Sequence, residues 1–390
     1  MSITANDFQL ASLTGGGAQT NGDSSNISLF PDGTKMVFTS NADNLVSGDA
    51  NGRDDVFVKD LTTGAVALVS SDSAGHIANF ESGTQSGTES FSPDGTKVVF
   101  SSVANNLVAG DVNGQWDVFV KNLVTGATTI QSNGAAGNPG DSFSSLASFS
   151  PVDNDLVSFT SFSNNLIPED PSFNRDIYLK NIATGDLSLV SARPDGTTGN
   201  SFSMGGVFSP DGTRIAFSSQ SSDLVDGAGF NAHILMRNLT TGVTSLVSSA
   251  ADGTPSDGLS FNPIFSPDGT KAAFTSIADN LVAGVDPHGN PQVFLKDLTT
   301  GDVRLISSSA AGVAGNHSCD TPVFSPDGTK IAFATLSSNL GPFDPGKQYD
   351  IYIKDLATNQ VSAVTNSGNN HNPAFSPDGT HLYFDTTADG

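Results

Sequence analysis

Short apolar runs alternate with turn-forming segments along the whole chain. The runs are rich in Val, Ile and Phe and are bounded by Gly, Pro, Asn and Asp, as in the stretch from Phe91 to Phe100 and the stretch that follows Asp117. Apolar runs of about four to eight residues with such boundaries are typical of β-strands. No segment shows sustained helical periodicity. The pattern therefore predicts an all-β protein.

The phrase Phe-Ser-Pro-Asp-Gly-Thr and its degenerate copies recur at nearly regular intervals. Seven copies are anchored at Pro31, Pro93, Pro151, Pro210, Pro267, Pro326 and Pro377. Successive anchors lie 51 to 62 residues apart, a period that indicates one repeated structural unit. Each unit contains short apolar runs that we name strands A to D in chain order.

Two short turns are predicted in the repeated unit. Between strands A and B, Pro93 presets φ for the first central position of a turn, and Gly95 supplies a positive φ later in it. Between strands C and D, a segment such as residues 122–126 ends in glycine in five units, and Asn359 replaces that glycine in the sixth. Asparagine is the non-glycine residue that best tolerates the left-handed region, so this position is predicted to require a positive φ.

Four-stranded units of this kind bury both faces when they are packed radially. The sequence therefore predicts one domain over residues 1–390, a seven-bladed β-propeller of four-stranded antiparallel blades. Residues 1–13 align with the end of strand C and with strand D, so they are expected to close the last blade beside residues 382–384. That blade lacks its own full strand C, so either the N-terminal strand takes its place in a three-stranded blade or the chain is an excerpt of a longer protein. The alternative for the whole fold is six full blades plus a partial one. The predicted blades are residues 27–70, 89–131, 147–191, 206–248, 263–307, 322–365, and 373–385 with 1–13.

The repeats resemble a known family. A Ser-Pro-Asp-Gly hairpin is followed by a strand of the type Asp-Ile/Val-Tyr/Phe-Val, which begins at Asp55, Asp117, Asp176 and Asp350. The fourth and fifth units depart from this pattern, with His233 and Gln292 at the position of the aspartate. The pattern resembles the TolB-like, or WD40-like PD40, repeats. The resemblance implies a β-propeller, but it leaves the function open because the repeat serves transport accessory proteins, peptidase propellers and lyases alike.

Charge and composition exclude several classes of partner. The chain has 40 acidic and 16 basic residues, a formal charge of −24, which acts against binding to nucleic acid or an anionic membrane. Cys319 is the only cysteine, so no intramolecular disulfide and no cysteine-based metal site can form. No run of about 20 apolar residues predicts a membrane span. We expect a monomer.

The composition also bears on location. Gly, Ser, Asn, Asp and Thr dominate, a mix that is common in bacterial proteins exported without a cleaved N-terminal signal, and the first residues lack the basic start and apolar core of such a signal. An extracellular or periplasmic location is therefore expected, with the cytoplasm as the alternative.

The loops between strands B and C carry the strongest candidate for metal chemistry. Pairs of aspartates six residues apart, often with an oxygen-bearing residue between them, resemble the first half of a calcium loop. The candidate ligands are Asp49, Asn51, Asp55, Asp111, Asn113, Asp117, Asp170, Ser172, Asn174, Asp176, Asp344 and Asp350. The second half of a helix-loop-helix calcium site, with its bidentate Glu, is absent. The alternative interpretation is that the second Asp caps strand C and that the loop is an Asx-type turn.

The mouth of the propeller axis is the second candidate site. It should be lined by the residues three before each strand A anchor: Asn26, Thr88, Leu146, Gly205, Asn262, Thr321 and Asn372. The candidate ligand-binding residues among them are Asn26, Thr88, Asn262, Thr321 and Asn372, a small and polar set that suits a water-filled channel or a small ligand. Aromatic side chains on nearby loops make a peptide or carbohydrate groove conceivable: Phe80, Trp116, Phe143, Phe173, Phe202, Phe230, Phe261 and Phe343. For any one of these phenylalanines, packing between blades is the alternative.

Two function classes follow from these features. The first is a non-enzymatic binding or interaction module with a protein or carbohydrate ligand and acidic loops that bind calcium in the metal interpretation. The second is a propeller lyase or hydrolase that acts on saccharides with a metal at the axial mouth. The six histidines of the chain occupy non-equivalent repeat positions, and the sequence contains no nucleophile elbow or phosphate loop, so no catalytic residue is assigned. Three or more convergent His, Asp or Glu side chains would favour the enzyme.

Overall fold

The structure, a computed structural model, describes residues 12–84, 90–134, 137–168, 170, 173–285, 289–341 and 348–387. Within these ranges the helices and strands are all of one type, β-strands. No helix in the described part is long and apolar enough to cross a membrane. The chain divides into two compact units. We call the described residues up to 198 the N-terminal unit and those from 199 onward the C-terminal unit.

The N-terminal unit contains three antiparallel four-stranded sheets, each ordered as strands A, B, C and D. The first blade consists of β1 (Ser24–Leu29), β2 (Lys35–Ser40), β3 (Asp55–Asp60) and β4 (Val66–Leu68). The second consists of β5 (Ser82–Gly83), β6 (Lys97–Ser102), β7 (Asp117–Asn122) and β8 (Thr128–Ile130). The third consists of β9 (Ser144–Phe149), β10 (Leu156–Ser161), β11 (Asp176–Asn181) and β12 (Leu187–Leu189).

The C-terminal unit contains three more four-stranded sheets and one of two strands. The fourth blade consists of β13 (Ser203–Phe208), β14 (Arg214–Ser219), β15 (His233–Asn238) and β16 (Thr244–Leu246). The fifth consists of β17 (Ser260–Phe265), β18 (Lys271–Ser276), β19 (Gln292–Asp297) and β20 (Val303–Leu305). The sixth consists of β21 (Cys319–Phe324), β22 (Lys330–Thr335), β23 (Asp350–Asp355) and β24 (Val361–Ala363), and β25 (Asn369–Phe375) pairs with β26 (Leu382–Thr387).

The blade count differs from the expectation of seven complete blades. Among the described residues six sheets have four strands, and β25 and β26 pair only with each other, so the alternative of six full blades plus a partial one fits. The closing strand predicted over residues 1–13 lies outside the described residues except for its last two. Of these, Leu13 bridges to Gln19 as Ser71 bridges to Ile77, which agrees with the alignment of this segment to strand D.

Cross-strand aromatic pairs form the centre of the blades. Phe100 of β6 lies opposite Phe119 of β7 with ring centroids 5.7 Å apart, and Phe274 lies opposite Phe294 with centroids 6.1 Å apart. All four rings are fully buried. Offset aromatic pairs add about 0.5–1.5 kcal/mol beyond the burial of their area. The strands B and C predicted around these residues are present.

Both predicted turns form, and hydrogen bonds explain why their sequences repeat. Gly126 and Asn359 have φ of 75° and 61°, so the position after the strand C turn does require the left-handed region. In the other turn, Asp94 Oδ1 accepts the N–H of Thr96 at 3.0 Å and the hydroxyl of Ser92 at 2.7 Å. The Ser-Pro-Asp-Gly-Thr phrase is therefore a self-contained turn whose repetition reflects folding.

A buried lysine near the end of strand C joins neighbouring blades. In the second blade, Lys121 Nζ donates to the carbonyl oxygens of Ser71 and Asp72 at 3.1 and 2.9 Å. Lys296 in the fifth blade donates in the same way to the carbonyl oxygen of Ser249 at 3.0 Å. These acceptors follow strand D of the preceding blade, so each lysine ties one blade to the next.

Candidate functional site

A cleft of about 540 Å³ opens in the N-terminal unit and draws its lining from all three blades of that unit. This volume lies within the range of roughly 300–1,000 Å³ that is common for ligand sites. Its hydroxyl-bearing wall consists of Ser25, Thr39, Ser82, Thr84, Ser101 and Ser145, and its large side chains are Asp54, Trp116, Phe143 and Arg175. The lining of the cleft therefore combines hydroxyl groups with aromatic rings and two charged side chains.

Three of the large side chains come from one equivalent position of the repeat, the residue directly before strand C. Asp54 precedes β3, Trp116 precedes β7 and Arg175 precedes β11. The backbone role is constant: the carbonyl oxygens of Asp54 and Trp116 each accept the N–H of the first residue of the next blade's strand A, Ser82 or Ser144, at 2.7 Å. Because the backbone supplies the bond, the side chain at this position is free to differ between blades.

A ladder of rings and one cation borders the cleft. The centroids of Trp116 and Phe143 are 6.4 Å apart, and those of Phe143 and Phe162 are 6.3 Å apart. The guanidinium of Arg175 lies 4.7 Å from the ring centroid of Phe162, within the range of a cation–π contact. Burial lowers the pKa of Arg175 from its usual value, but an arginine side chain stays protonated at neutral pH. The ladder thus presents flat apolar faces next to a positive charge.

The hydroxyl wall joins the first two blades. Thr84 Oγ1 donates to the carbonyl oxygen of Asn26 at 2.9 Å, and the N–H of Thr84 donates to Thr39 Oγ1 at 3.0 Å. Ser25 and Ser145 of the wall are half-buried. Hydroxyl groups both donate and accept hydrogen bonds, so this wall can bond to hydroxyl, amide or carboxylate groups of a ligand.

Acidic side chains gather near the first blade. Burial raises the pKa of Asp54, and the nearby charges of Glu81 and Asp23 raise it further. Glu81 is itself paired with Arg53, whose guanidinium lies 5.6 Å from the ring centroid of Phe80. Near Asp54 the acidic side chains of Glu81 and Asp23 thus outnumber the one basic side chain named here, that of Arg53.

The residues predicted at the axial mouth share an unusual backbone conformation. All those described are in the left-handed region, with φ between 48° and 72°: Asn26, Leu146, Gly205, Asn262, Thr321 and Asn372. They lie where the pairing of strand A with strand B shifts register in each of the six blades concerned. A bulge adds one residue to a strand and commonly places it in this region. Thr88 lies outside the described residues.

Two of these residues line the cleft, and two others donate hydrogen bonds to aspartate side chains. Asn26 and Leu146 line the cleft. In the C-terminal unit Asn262 Nδ2 donates to Asp320 Oδ1 at 2.9 Å, and Asn372 Nδ2 donates to Asp385 Oδ2 at 2.8 Å. The sequence thus located a structurally equivalent set of residues, but their shared feature is a strand bulge.

The second aspartate of each B–C pair ties strand C to strand D. Asp55 Oδ1 accepts the hydroxyl of Ser70 at 2.6 Å, and Asp117 Oδ1 accepts that of Ser132 at 2.6 Å. Asp176 and Asp350 make the same bond to Ser191 and Thr365, and Gln292 makes it to Ser307. Burial raises the pKa of Asp55 to about 6 and that of Asp117 to about 7. This position is therefore a structural anchor whose carboxylates are costly to ionise.

The remaining loop ligands are held by local hydrogen bonds. Asn51 Nδ2 donates to Asp55 Oδ2 at 2.8 Å, and Asn51 Oδ1 accepts the N–H of Arg53 at 2.8 Å, which makes the loop an Asx-type turn. Asn113 repeats the contact with Asp117 at 2.7 Å. The two oxygens of Asn51 and Asp55 that calcium would require are thus already engaged within the turn, as the capping interpretation describes.

The first aspartates of the pairs are deeply buried. Asp49 and Asp111 are 5% and 4% exposed, and burial raises the pKa of both. Asp170 accepts the hydroxyl of Tyr178, and Asn174 is half-buried. Within the described ranges no three His, Cys, Asp or Glu side chains form a group that could hold a metal. Ser172 and Asp344 lie outside those ranges, and calcium binding stays a prediction.

The aromatic candidates are divided between the cleft and exposed loops. Trp116 and Phe143 line the cleft, whereas Phe80, Phe173, Phe202 and Phe230 are 40%, 74%, 42% and 87% exposed. Phe261 is half-buried, and Phe343 lies outside the described residues.

Sequence reasoning missed Asp54 and Arg175. Asp54 and Arg175 directly precede Asp55 and Asp176, the first residues of their strands C. The position that they occupy holds a different residue in each of the six four-stranded blades. This lack of repetition within a regular repeat was the available signal.

Comparisons with known proteins support the repeat family. Residues 254–390 match the PD40 family, described as the TolB beta propeller domain. A Tol-Pal system protein TolB of Alcanivorax borkumensis is 38% identical over 76 residues, which are 19% of this chain and 16% of that protein. A protein TolB homolog of Chlorobium luteolum is 31% identical over 159 residues, 33% of each chain. The matches thus span at most a third of these relatives, and they confirm the resemblance to TolB-like PD40 repeats.

Solved structures support the fold class. An oligogalacturonate lyase from Vibrio parahaemolyticus superposes with a TM-score of 0.57 at 14% identity and covers 94% of this chain and 88% of its own. The Cps50 (Swd1) beta-propeller domain of Myceliophteria thermophila has a TM-score of 0.51 at 12% identity and covers 95% and 99%. At these identities the likeness shows the fold alone, an all-β propeller with four-stranded antiparallel blades.

Proposed function

We propose that this chain, whose repeats are of the TolB-like PD40 propeller type, is a non-enzymatic binding module that holds its ligand in the cleft of the N-terminal unit. The observation that carries the proposal is the meeting of Asp54, Trp116 and Arg175 in that cleft. These residues occupy one position of the repeat, whose backbone role is constant and whose side chain varies. Variable side chains on a rigid scaffold are where binding specificity is expected.

The shape and chemistry of the cleft support a binding role. Its aromatic faces offer area for an apolar or ring-shaped group, and its hydroxyl wall offers hydrogen bonds that fix orientation. Such a lining suits a protein or carbohydrate ligand. The formal charge of −24 acts against polyphosphate partners such as nucleic acid. An extracellular or periplasmic location, where peptides and saccharides are available as ligands, remains part of the proposal.

No specific observation favours the saccharide lyase or hydrolase. That alternative needs several convergent His, Asp or Glu side chains, and the described part of the chain brings no three of them into a metal-holding group. Among the described residues that line the cleft, Asp54 and Arg175 are the charged side chains, and they lie on different blades. An arginine is a poor proton acceptor because its pKa is so high. The structural similarity to an oligogalacturonate lyase supports the propeller fold but does not support lyase activity in this chain.

Calcium in the B–C loops is a separate part of the proposal. Asp49 Oδ1 is buried with no hydrogen-bond partner among the described residues, and a cation beside it would offset the cost of its burial. The neighbouring Asn51 and Asp55 already bond to each other, so binding would require this turn to rearrange. Calcium titration followed by thermal melting tests it: a rise in Tm at millimolar calcium supports binding, and an unchanged Tm rules against it.

The single tryptophan provides a direct assay for the cleft. Trp116 is the only tryptophan of the chain and lines the site, so its fluorescence reports an occupant. We would titrate the protein with neutral hexasaccharides and with a pool of random heptapeptides. We expect a saturable change with at least one class. Absence of a saturable change with both classes would contradict the proposal.

A matched pair of truncations shows whether the binding is at the cleft. Phe143→Ala removes a ring of the ladder and should weaken binding about tenfold, as for a buried aromatic contact. Leu259→Ala is the control, because Leu259 occupies the equivalent position in the C-terminal unit: its carbonyl oxygen accepts the N–H of Ile277 at 3.0 Å, as that of Phe143 accepts the N–H of Phe162 at 2.9 Å. Equal effects of the two changes would place the ligand elsewhere.

A further inference from the structure

The cleft keeps several polar side chains that form no hydrogen bond within the described part of the chain. These are the carboxylate of Asp54, the hydroxyls of Ser25, Ser101 and Ser145, and the indole N–H of Trp116. In the C-terminal unit, residues at the position of Ser101 are engaged: Ser218 donates to the carbonyl oxygen of Ser260, and Thr275 donates to Asp320 Oδ1, both at 2.9 Å. The polar groups of the cleft are thus open to a ligand.

These groups differ in the hydrogen bonds that they can make. A hydroxyl both donates and accepts, a carboxylate only accepts, and an indole N–H only donates. A ligand rich in hydroxyl groups satisfies all three, because each of its hydroxyls can donate to one group and accept from another. Bonds from ligand hydroxyls to the Asp54 carboxylate would be charge-assisted, and such bonds are the stronger kind.

Two aromatic rings supply the apolar part of the same lining. Trp116 and Phe143 have ring centroids 6.4 Å apart, and their planes are inclined by 53°, so they form an angled pair of faces instead of a parallel slot. A sugar ring has apolar faces of C–H groups and a polar rim of hydroxyls. It can therefore pack one face on an aromatic ring while its rim reaches the hydroxyl groups of the cleft.

The strand edges at the cleft are unsuited to an extended peptide. Strand A is an edge strand in each blade of the N-terminal unit, and a peptide that adds to an edge needs a regular row of backbone donors and acceptors. Register shifts interrupt the pairing of β1 and β9 with their strands B, and β5 has only two residues. Bulges and short edge strands prevent strand addition. The side chains thus supply the bonds that this cleft offers.

The charges around Asp54 act against an acidic ligand. Burial and the nearby charges of Glu81 and Asp23 raise the pKa of Asp54, so a further negative charge would be repelled there. Arg175 is the other charged residue of the described lining, and its guanidinium already packs 4.7 Å from the ring centroid of Phe162. A ligand without charge avoids the repulsion and needs nothing from Arg175.

We propose that the ligand of this cleft is an uncharged oligosaccharide, which packs a sugar ring on Trp116 and donates hydroxyl hydrogen bonds to Asp54. The free hydroxyls of Ser25, Ser101 and Ser145 bond to other hydroxyls of the same ligand. The cleft volume of about 540 Å³ limits the bound part to a short segment. The inference rests on the proposed function and names its ligand class.

A panel of ligands tests this class. Trp116 fluorescence is titrated with hexasaccharides of glucose, mannose, xylose and N-acetylglucosamine, with hexagalacturonate, and with a pool of random heptapeptides. We expect a saturable change with at least one uncharged hexasaccharide. Its binding should be at least about tenfold tighter than that of hexagalacturonate or of the peptide pool, because specificity is a difference of affinities.

Matched variants test the contacts. Asp54→Asn keeps the shape of the side chain but removes its charge, so it should weaken binding about tenfold. Asp279→Asn is its control, since Asp279 is an exposed aspartate of the C-terminal unit. Ser101→Ala should weaken binding about threefold. Its control is Ser201→Ala in the C-terminal unit, because the Ser201 hydroxyl also forms no hydrogen bond among the described residues. Melting curves confirm that each variant is folded.

The outcomes separate this inference from the proposed function. Binding of the peptide pool with no response to a saccharide overturns the ligand class and leaves a binding module in place. Tighter binding of hexagalacturonate than of every uncharged hexasaccharide has the same consequence. Binding of an uncharged hexasaccharide that neither Asp54→Asn nor Ser101→Ala weakens overturns the inferred contacts. Absence of binding across the whole panel removes both the inference and the proposed function.

Discussion

The N-terminal and C-terminal units share a backbone but differ in the side chains that stand before strand C. In the N-terminal unit this position holds Asp54, Trp116 and Arg175, and all three line one cleft. In the C-terminal unit the same position holds Ala232, Pro291 and Tyr349. The repeated residues fix turns, anchors and blade contacts in both units. We therefore expect any difference in ligand binding between the units to come from the unrepeated residues.

Strand A also differs between the blades of the two units. The residue before the left-handed bulge is Ser25 or Ser145 in the cleft, whereas the C-terminal unit has Met204, Phe261, Asp320 and His371 there. Asp320 is tied into the structure, since its Oδ1 accepts hydrogen bonds from both Asn262 and Thr275 at 2.9 Å. The charge of Asp320 thus serves the fold of the C-terminal unit, whereas Ser25 and Ser145 line the cleft of the N-terminal unit.

The largest expected contrast between the units is in their response to pH. Asp117 has its pKa raised to about 7, chiefly by burial, whereas Gln292 at the same position in the fifth blade does not titrate. Because the folded state favours protonated Asp117, this group contributes to the free energy of unfolding. Its contribution is fully present below the unfolded pKa near 3.8 and is lost as pH rises through about 7. The free energy of unfolding of the N-terminal unit should fall by roughly 3 kcal/mol between about pH 5 and pH 8.

Urea unfolding followed by Trp116 fluorescence measures this dependence. Asp117→Asn should remove most of the slope, and Gln292→Glu should introduce one in the C-terminal unit, read by circular dichroism. Asp55, with its pKa raised to about 6, contributes a smaller dependence of the same sign. A pH-independent midpoint in the wild-type protein, or an unchanged slope in Asp117→Asn, would show that burial does not govern these anchors.

The lysine contacts should stabilise both units equally. Lys121→Met leaves the carbonyl oxygens of Ser71 and Asp72 without their donor and should lower the free energy of unfolding by about 2 kcal/mol. Lys296→Met should cost the same in the C-terminal unit. Thermal melting and urea titration of both variants provide the comparison. A loss below about 0.5 kcal/mol in both would mean that solvent replaces the lysine without cost.

Relief of backbone strain is the smallest expected effect. Leu146 has φ 55°, a conformation that costs a branched side chain free energy, so Leu146→Gly should stabilise the N-terminal unit by about 0.5–1 kcal/mol. Asn262→Gly should bring no gain, since asparagine tolerates this region and the change removes its bond to Asp320. Urea midpoints decide between them, and a gain for Asn262→Gly alone would contradict the strain argument.

The sequence predicted what depends on local chemistry. The positive φ at Asn359 and the Ser-Pro-Asp-Gly-Thr turn follow from the residues of the turn itself, and both were predicted correctly. Asn26 and Asn262 were predicted to line the axial mouth, and the bulge that they form was not predicted because it depends on how strand A pairs with strand B. The cleft was not predicted, because it depends on how the side chains before strand C from three blades come together.

Closure of the ring shows the same limit. The segment ending at Leu13 was aligned with strand D from its residues, and the bridge from Leu13 to Gln19 agrees with that alignment. The number of strands in the last blade depends on long-range pairing, where the expectation of seven complete blades was not confirmed. Local turns are thus predictable from a single repeat, and contacts between repeats are not.

The claim that the ligand occupies the cleft of the N-terminal unit is tested most directly by filling that cleft. Ser145→Phe places a ring in its wall, and Met204→Phe places the same ring at the equivalent position of the fourth blade. Calorimetric titration with the tightest ligand from the fluorescence screen gives the dissociation constants. We predict that Ser145→Phe weakens binding at least about tenfold while Met204→Phe leaves it unchanged. Unchanged binding to a folded Ser145→Phe variant would contradict the assignment of the site.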